Sequence, residues 1–186
     1  MISNETKISI IIPVYNEVDS IHNIVSDLKA LYPAYEIIVI NDGSTDNTAA
    51  EAQKAGAKVF SHPYNIGNGA AIKSGIRVAT GDILVFMDGD GQHNSEYIAE
   101  LLKYLPEYDM VVGSRANADQ ASLGRALGNT IYNLFASYVA KYPIKDLTSG
   151  FRASRARHFR KFLYLLPNKF SYPTTSTMAF FRSGLA

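Results

Sequence analysis

Short apolar runs and helically spaced apolar positions alternate through the first two thirds of the chain. "KISIIIPVYN" (7–16) has a β-branched core ended by Pro13, which suits a buried strand closing at its carboxyl end. Val18, Ile21, Ile24, Val25, Leu28 and Leu31 then recur at helical spacing within 17–32. "YEIIVINDGS" (35–44) reads as a second strand running into a turn, and the alanine-rich 45–56 as a helix ending at Gly56. "AKVFSH" (57–62), "GNGAAIKSGIRVATG" (67–81), "DILVFMDGD" (82–90), "SEYIAELLKYL" (95–105) and "YDMVVGSR" (108–115) continue as strand, helix, strand, helix, strand. Five strands with four intervening helices predict an α/β fold, a mostly parallel central sheet covered on both faces.

Beyond residue 120 the pattern changes. Leu123, Leu127, Ile131, Leu134 and Tyr138 form a helical stripe through 121–140, and "DLTSGFR" (146–152) reads as a polar loop or short strand. Residues 154–166 and 175–182 read as helices, the second stopping at Gly184, with the chain ending at Ala186. An α/β domain that finishes on a helix cap leaves a strand to follow, so the expectation is a chain truncated at its C-terminus.

Composition narrows the classes. At 186 residues, 47% apolar and 19% charged, the chain fits one soluble globular domain, 1–186. Eighteen Lys and Arg against 17 Asp and Glu give no basic excess, so nucleic acid is not an expected partner. Zero cysteines exclude disulfides and thiolate metal sites. No run of about 18 consecutive apolar residues is present, and the polar Met1–Lys7 does not read as a signal peptide.

In an open α/β sheet, ligands bind outside the carboxyl ends of the strands. Four polar clusters fall there: "PVYNE" (13–17), "NDGSTDN" (41–47), "DGDGQH" (88–93) and "GSR" (113–115). Each alone is ordinary turn chemistry; their convergence carries the reading. Asp88 and Asp90 are two residues apart, so in extended geometry both point one way and repel unless a cation sits between them. Oxygen ligands of this kind suit Mg²⁺ or Mn²⁺ sharing substrate phosphate oxygens, and Gln92 adds a neutral oxygen at the same alternation. Gly89 and Gly91 allow a tight turn and close approach of a ligand. His93 reads as a surface or helix-capping histidine. The dinucleotide fingerprint fails because residue 72 is Ile, and no P-loop or serine nucleophile elbow is present.

Six ordered motifs, "IIPVYNE", "NDGSTDNT", "NIGNGAAIKSGI", "FMDGDGQH", "VVGSR" and "DLTSGFR", closely resemble family 2 glycosyltransferases of the GT-A fold, a Rossmann-like three-layer sandwich. Within that family they most resemble the dolichol-phosphate mannose synthase branch. The resemblance implies inverting, Mg²⁺- or Mn²⁺-dependent transfer of a hexose from a UDP- or GDP-linked sugar to polyprenyl phosphate. By position, Pro13, Tyr15 and Glu17 line the base and ribose, and Asp42 bonds the base. Asp88 contacts nucleotide and metal, with Asp90 and Gln92 completing the metal site. Arg115, Arg125 and Asn129 match acceptor-phosphate positions. Ser149 and Arg152 are grouped with them, in the loop that with Asp146 closes the sugar pocket. Asp88, Asp90, Arg115 and Asp146 are the candidate catalytic residues. The family continues past the last helix into a strand and a basic segment that helps hold the diphosphate, which this sequence does not reach.

The choice of acceptor turns on chemistry. A sugar hydroxyl needs a carboxylate base, for which Asp146 is the best candidate. A phosphate monoester has a second pKa near 6, so it is largely a dianion at pH 7 and needs cationic clamps instead, a role for Arg115 and Arg125. A hydroxyl-acceptor transferase and a non-catalytic nucleotide-sugar-binding module are the rival readings. In "SRARHFRKFLYLLP" (154–167), Phe159, Phe162, Leu163 and Leu166 share a face ringed by Arg155, Arg157, Arg160 and Lys161. That pattern fits either a helix lying on an anionic membrane surface or a core helix with a basic solvated side. The implied location is cytoplasmic, or the cytoplasmic face of a membrane.

Overall fold

The computed structural model describes residues 5–114 and 146–185. Arg115, Arg125, Asn129 and the apolar stripe at 121–140 lie outside the described residues. The strands are β1 (Ile8–Val14), β2 (Glu36–Asn41), β3 (Lys58–Ser61), β4 (Ile83–Phe86), β5 (Met110–Val112) and β6 (Arg152–Arg155). The helices are α1 (Ile21–Leu31), α2 (Thr48–Lys54), α3 (Asn68–Val78), α4 (Tyr97–Tyr104), α5 (Ala156–Lys161) and α6 (Tyr172–Arg182), with a 3₁₀ turn at Leu163–Leu165.

Strand alternation builds the three layers. On β1, β2 and β4, Ile10, Ile12, Ile37, Val39, Ile83 and Val85 face one side, where Ile21, Val25 and Leu28 of α1 and Ile98 and Leu101 of α4 cover them. Ile11, Ile38, Ile40, Leu84 and Phe86 face the other side, against Ile72 and Ile76 of α3, Phe159 of α5 and Tyr172 and Phe180 of α6. Both faces of these strands are therefore dry, which is why their sequences read as unbroken apolar runs.

The sheet order is β3-β2-β1-β4-β6-β5, and β1 pairs in parallel with both β2 and β4. The sheet is mostly parallel, as expected, with one strand added to the five that were read: β6 inserts antiparallel between β4 and β5, with Phe86 opposite Arg152. β6 is "RASR", and Arg152, Ala153 and Ser154 are all fully buried. A buried polar strand shows no hydrophobic period, so of "DLTSGFR", read as a polar loop or short strand, only the last residue, Arg152, lies in a strand. α6 starts three residues earlier than expected, because Pro173 in a helix's first turn sacrifices no intrahelical bond. Its end at Gly184 holds, with a left-handed φ of 68°.

The basic amphipathic helix of 154–167 is shorter than expected. Its apolar face belongs to the core: the Phe159 ring lies 4.8 Å from Phe86 and 5.6 Å from Phe180. The packing fits the core-helix alternative, and this face is not free to enter a membrane. No described helix is long and apolar enough to cross a bilayer.

At the opposite end of the strands from the polar clusters, Glu36 joins three elements. Its carboxylate accepts from Lys58 Nζ, Ser9 Oγ, and the amide and hydroxyl of Thr80. Burial alone raises its pKa, but these donors outweigh it and lower the carboxyl to about 2. A depressed carboxyl stabilises the fold above its unfolded value and loses that contribution as pH falls from about 4.5 towards 2. Glu36→Gln is expected to lower stability at pH 7 by on the order of 2 kcal/mol and to match wild type near pH 2. Urea midpoints measured at both pH values check this, and a mutational cost independent of pH contradicts it.

Candidate active site

The loops leaving β1 and β2 are tied to each other. After β1 the chain turns through Asn16, whose left-handed φ of 57° asparagine tolerates. Asn16 Oδ1 accepts the Thr45 amide at 2.8 Å, and the Asn16 amide donates to Ser44 Oγ at 2.9 Å. The Glu17 amide donates to Thr48 Oγ1 at 2.8 Å. "PVYNE" and "NDGSTDN" thus form one zipped unit, which presents Pro13, Tyr15 and Glu17 on the wall of a cavity of about 810 Å³.

Asp42 lines the same cavity but is 3% exposed. Its Oδ1 accepts His62 Nδ1 at 2.7 Å and the Ile66 amide at 3.0 Å, and its Oδ2 accepts the Gly67 amide at 2.7 Å. A carboxylate has about four lone-pair directions, so one on Oδ2 remains for a ligand. His62, with Nε2 2.8 Å from Ser74 Oγ, was not singled out by sequence; only its place at the end of β3 hinted at a role.

β4 ends at Phe86, and Asp88 and Asp90 lie beyond it around a turn rather than in the extended run that the spacing suggested. Asp90 Oδ1 accepts the Gln92 amide at 3.0 Å, which closes that turn. Both carboxylates line the cavity, whereas Gln92 stands exposed and off its wall. Burial, and nearby Asp90, raise the carboxyl of Glu17 against a hydrogen bond from Ser20. His93 corrects its expected surface role: its ring stacks on Phe151 with centroids 4.9 Å apart, and Nε2 stands 3.7 Å from Asp88 Oδ2.

Behind Asp88 the "DLTSGFR" segment forms a supporting wall. Asp146 Oδ1 accepts the amides of Thr148 and Ser149, each at 3.1 Å, so this carboxylate organises the loop and does not line the cavity. Ser149 is 1% exposed and Arg152 fully buried, which contradicts their expected contact with an acceptor phosphate. The Arg152 guanidinium donates to Ser149 O, to Pro173 O at 3.0 Å and to Ser176 Oγ at 2.9 Å. Burial disfavours its charge, while Tyr172, Asp146 and Asp88 act to hold it. Tyr172 Oη donates to Gly150 O at 3.2 Å. Gly150 itself presses on the catalytic candidate: a Cβ there would lie 2.6 Å from Asp88 Oδ2.

Lys169, Phe170, Tyr172 and Pro173 also line the cavity and escaped the sequence reading, with Phe170 81% exposed. Lys169 and Phe170 sit in the loop before α6 and the other two open that helix, with no motif to flag either.

Among the described residues, no group of three or more His, Cys, Asp and Glu side chains is placed to hold a metal ion. Two hard carboxylates on one cavity wall fit a divalent cation that completes its shell with water and ligand phosphate oxygens, not one caged by protein. Such an arrangement can neutralise a diphosphate.

Comparison with known proteins agrees with this geometry. The profile of Glycosyl transferase family 2 matches residues 9–165. The putative glycosyltransferase CsbB of Bacillus subtilis is 35% identical over 155 residues, 78% of this chain and 47% of that protein. The undecaprenyl-phosphate 4-deoxy-4-formamido-L-arabinose transferase of Serratia proteamaculans is 33% identical over 189 residues, covering 91% of this chain and 58% of that one. The chain therefore spans about half the length of these relatives. A Mycobacterium tuberculosis glucosyl-3-phosphoglycerate synthase, solved with Mn²⁺, UDP-glucose and phosphoglyceric acid, matches 96% of this chain and 66% of its own with a TM-score of 0.80 at 21% identity. Mannosyl-3-phosphoglycerate synthase from Rubrobacter xylanophilus matches 83% of this chain and 55% of its own, with a TM-score of 0.69 at 22% identity. These likenesses establish the GT-A fold.

Proposed function

This chain belongs to glycosyl transferase family 2, and from that membership we propose that it transfers a hexose from a UDP- or GDP-linked sugar to polyprenyl phosphate, with inversion at the anomeric carbon. The observation that carries the reading is the joint placement of Asp88 and Asp90 on a cavity at the carboxyl ends of parallel strands, beside Tyr15 and Asp42.

In this reading Asp88 and Asp90 hold Mg²⁺ or Mn²⁺ with the donor's diphosphate. Bound there, the cation supplies Lewis-acid neutralisation of charge on the departing nucleoside diphosphate. Pro13 and Tyr15 flank the base, and the remaining lone pair of Asp42 Oδ2 accepts from it. Gly150 and Tyr172, braced by Arg152, fix the Asp88 carboxylate from behind, so its orientation is set before the donor arrives.

A phosphate acceptor accords with the wall chemistry. The carboxylates lining the cavity among the described residues are Glu17, Asp42, Asp88 and Asp90. Asp46 and Asp146 are engaged in their own loops and do not line it. In this reading Asp88 and Asp90 face the cation, and Asp42 and Glu17 face the nucleoside, so no described lining carboxylate is set aside as a base for a sugar hydroxyl, while a phosphate dianion needs none. The Serratia relative, by its name, uses undecaprenyl phosphate. A lipid-linked acceptor puts the proposed reaction at a membrane surface, on the cytoplasmic face in this reading.

Incubation with labelled UDP- or GDP-hexoses, Mn²⁺ and polyprenyl phosphate, followed by organic extraction, tests the reading. Label in the organic phase is the expected result; label confined to water-soluble glycan identifies a hydroxyl acceptor.

Gly150→Ala is expected to lower kcat/KM about 10²-fold, because the added methyl displaces the Asp88 carboxylate, while the melting temperature changes little. Steady-state kinetics beside a melting curve decide it. Unchanged kcat/KM removes Asp88's orientation from the mechanism.

A further inference from the structure

The cavity wall is strongly acidic where its proposed ligands are anionic. Glu17, Asp42, Asp88 and Asp90 line it, and among the described lining residues Lys169 is the one cation. A divalent ion offsets part of this repulsion, but a diphosphate and an acceptor phosphate together bring more negative charge than one such ion balances.

Lys169 is held at that wall by its backbone. The Gly69 amide donates to Lys169 O at 3.1 Å, and the Ala70 amide donates to Asn168 O at 2.9 Å. The first turn of α3, which otherwise offers amides to a phosphate, is thus closed by the carbonyls of this loop. The fit is tight: a Cβ on Gly69 would lie 2.6 Å from Lys169 O, and one on Gly67 would lie 2.5 Å from Asn168 O. Lys73 reaches the same loop from α3, its ammonium donating to Leu166 O at 3.0 Å and to Asn168 Oδ1. Downstream, Tyr172 fastens the loop to Gly150. Two lysines therefore play different parts. Lys73 is turned inward to fix the loop, whereas Lys169 lines the cavity and its ammonium has no hydrogen-bond or ion-pair partner among the described residues.

We infer that Lys169 is a phosphate-binding residue of this cavity, its ammonium gripping a phosphate oxygen of the bound substrates from the wall that carries α3 and the 166–171 loop. The inference rests on the proposed transferase reading and adds to it a contact that no motif contains. An ammonium on a flexible stem acts as a point charge towards phosphate, so arginine substitutes for it and a neutral residue does not.

The test uses Lys169→Ala, Lys169→Arg and Lys169→Glu, with Lys103→Ala on α4 as a remote charge control. Calorimetric titration with UDP and GDP in the presence of Mn²⁺ reads the donor diphosphate; KM for a short-chain polyprenyl phosphate reads the acceptor. Lys169→Ala is expected to weaken one of these about tenfold, Lys169→Glu more, and Lys169→Arg little, with melting temperatures unchanged. A loss in nucleotide affinity identifies the donor diphosphate as the partner. A raised acceptor KM with nucleotide affinity intact identifies the acceptor phosphate. If wild type binds Mn²⁺ and nucleotide and turns over while every Lys169 variant behaves like Lys103→Ala, the inference is overturned and the transferase reading stands. A wild-type chain that binds no nucleotide and shows no turnover overturns both.

Discussion

Asp88→Asn and Asp90→Asn each lower kcat/KM about 10³-fold or more, and neither change unfolds the protein. Several kcal/mol of transition-state stabilisation come from a cation facing a departing diphosphate, and about 1.4 kcal/mol corresponds to each tenfold in rate. Asp90 is exposed and its one described bond closes a local turn, which asparagine can retain. Asp88 is partly exposed and bounded by Gly150 and His93, and its isosteric amide fits the same space. Melting curves are expected to stay close to wild type while turnover and Mn²⁺ dependence disappear together. Substantial metal-stimulated turnover in either variant would falsify the assignment of these carboxylates.

The largest expected effect on stability comes from Arg152→Ala, a loss of about 3–5 kcal/mol. The guanidinium is fully buried and donates to the carbonyls of Ser149 and Pro173 and to the Ser176 hydroxyl. Truncation opens a cavity beside Tyr172, whose ring lies 5.7 Å from the guanidinium carbon, and takes from Ser149 O its described donors, while Pro173 O keeps the Ser176 and Thr177 hydroxyls. Arg152→Lys keeps the charge but not the fork that reaches two carbonyls and a hydroxyl at once, so it recovers only part of the loss. Because the same bonds brace the wall behind Asp88, turnover of the folded fraction also falls. Urea denaturation with activity normalised to folded protein separates the two effects; a loss below 1 kcal/mol would show that the Arg152 network is dispensable.

Much of this was readable in the sequence, and the exceptions share a cause. β1, β2 and β4 are buried on both faces, so their runs of Ile, Val and Leu announce them, and α1, α3 and α4 carry the 3.6-residue stripe that packs on them. The polar clusters at the strand ends gave the cavity wall, including Pro13, Tyr15, Glu17, Asp42, Asp88 and Asp90. What stayed hidden depends on partners far away in the chain. β6 is a polar strand made buriable by long-range bonds, such as Ser154 Oγ to Asp109 O at 3.0 Å. Arg152 looked like a phosphate ligand because an arginine in a polar motif is normally exposed; its burial needs α6 to supply acceptors. His62 and His93 acquire their places from Asp42 and from Asp88 with Phe151, and Lys169 from the amides of α3. Periodicity encodes which face a residue takes, not which distant group will meet it.

An anomalous difference map at the manganese edge, from crystals grown with Mn²⁺ and a nucleoside diphosphate, puts the central claim to its plainest trial. One strong peak within coordination distance of both the Asp88 and Asp90 carboxylates and of the diphosphate is the predicted result. A nucleotide bound at full occupancy with no peak there, or with the manganese held elsewhere, contradicts the account.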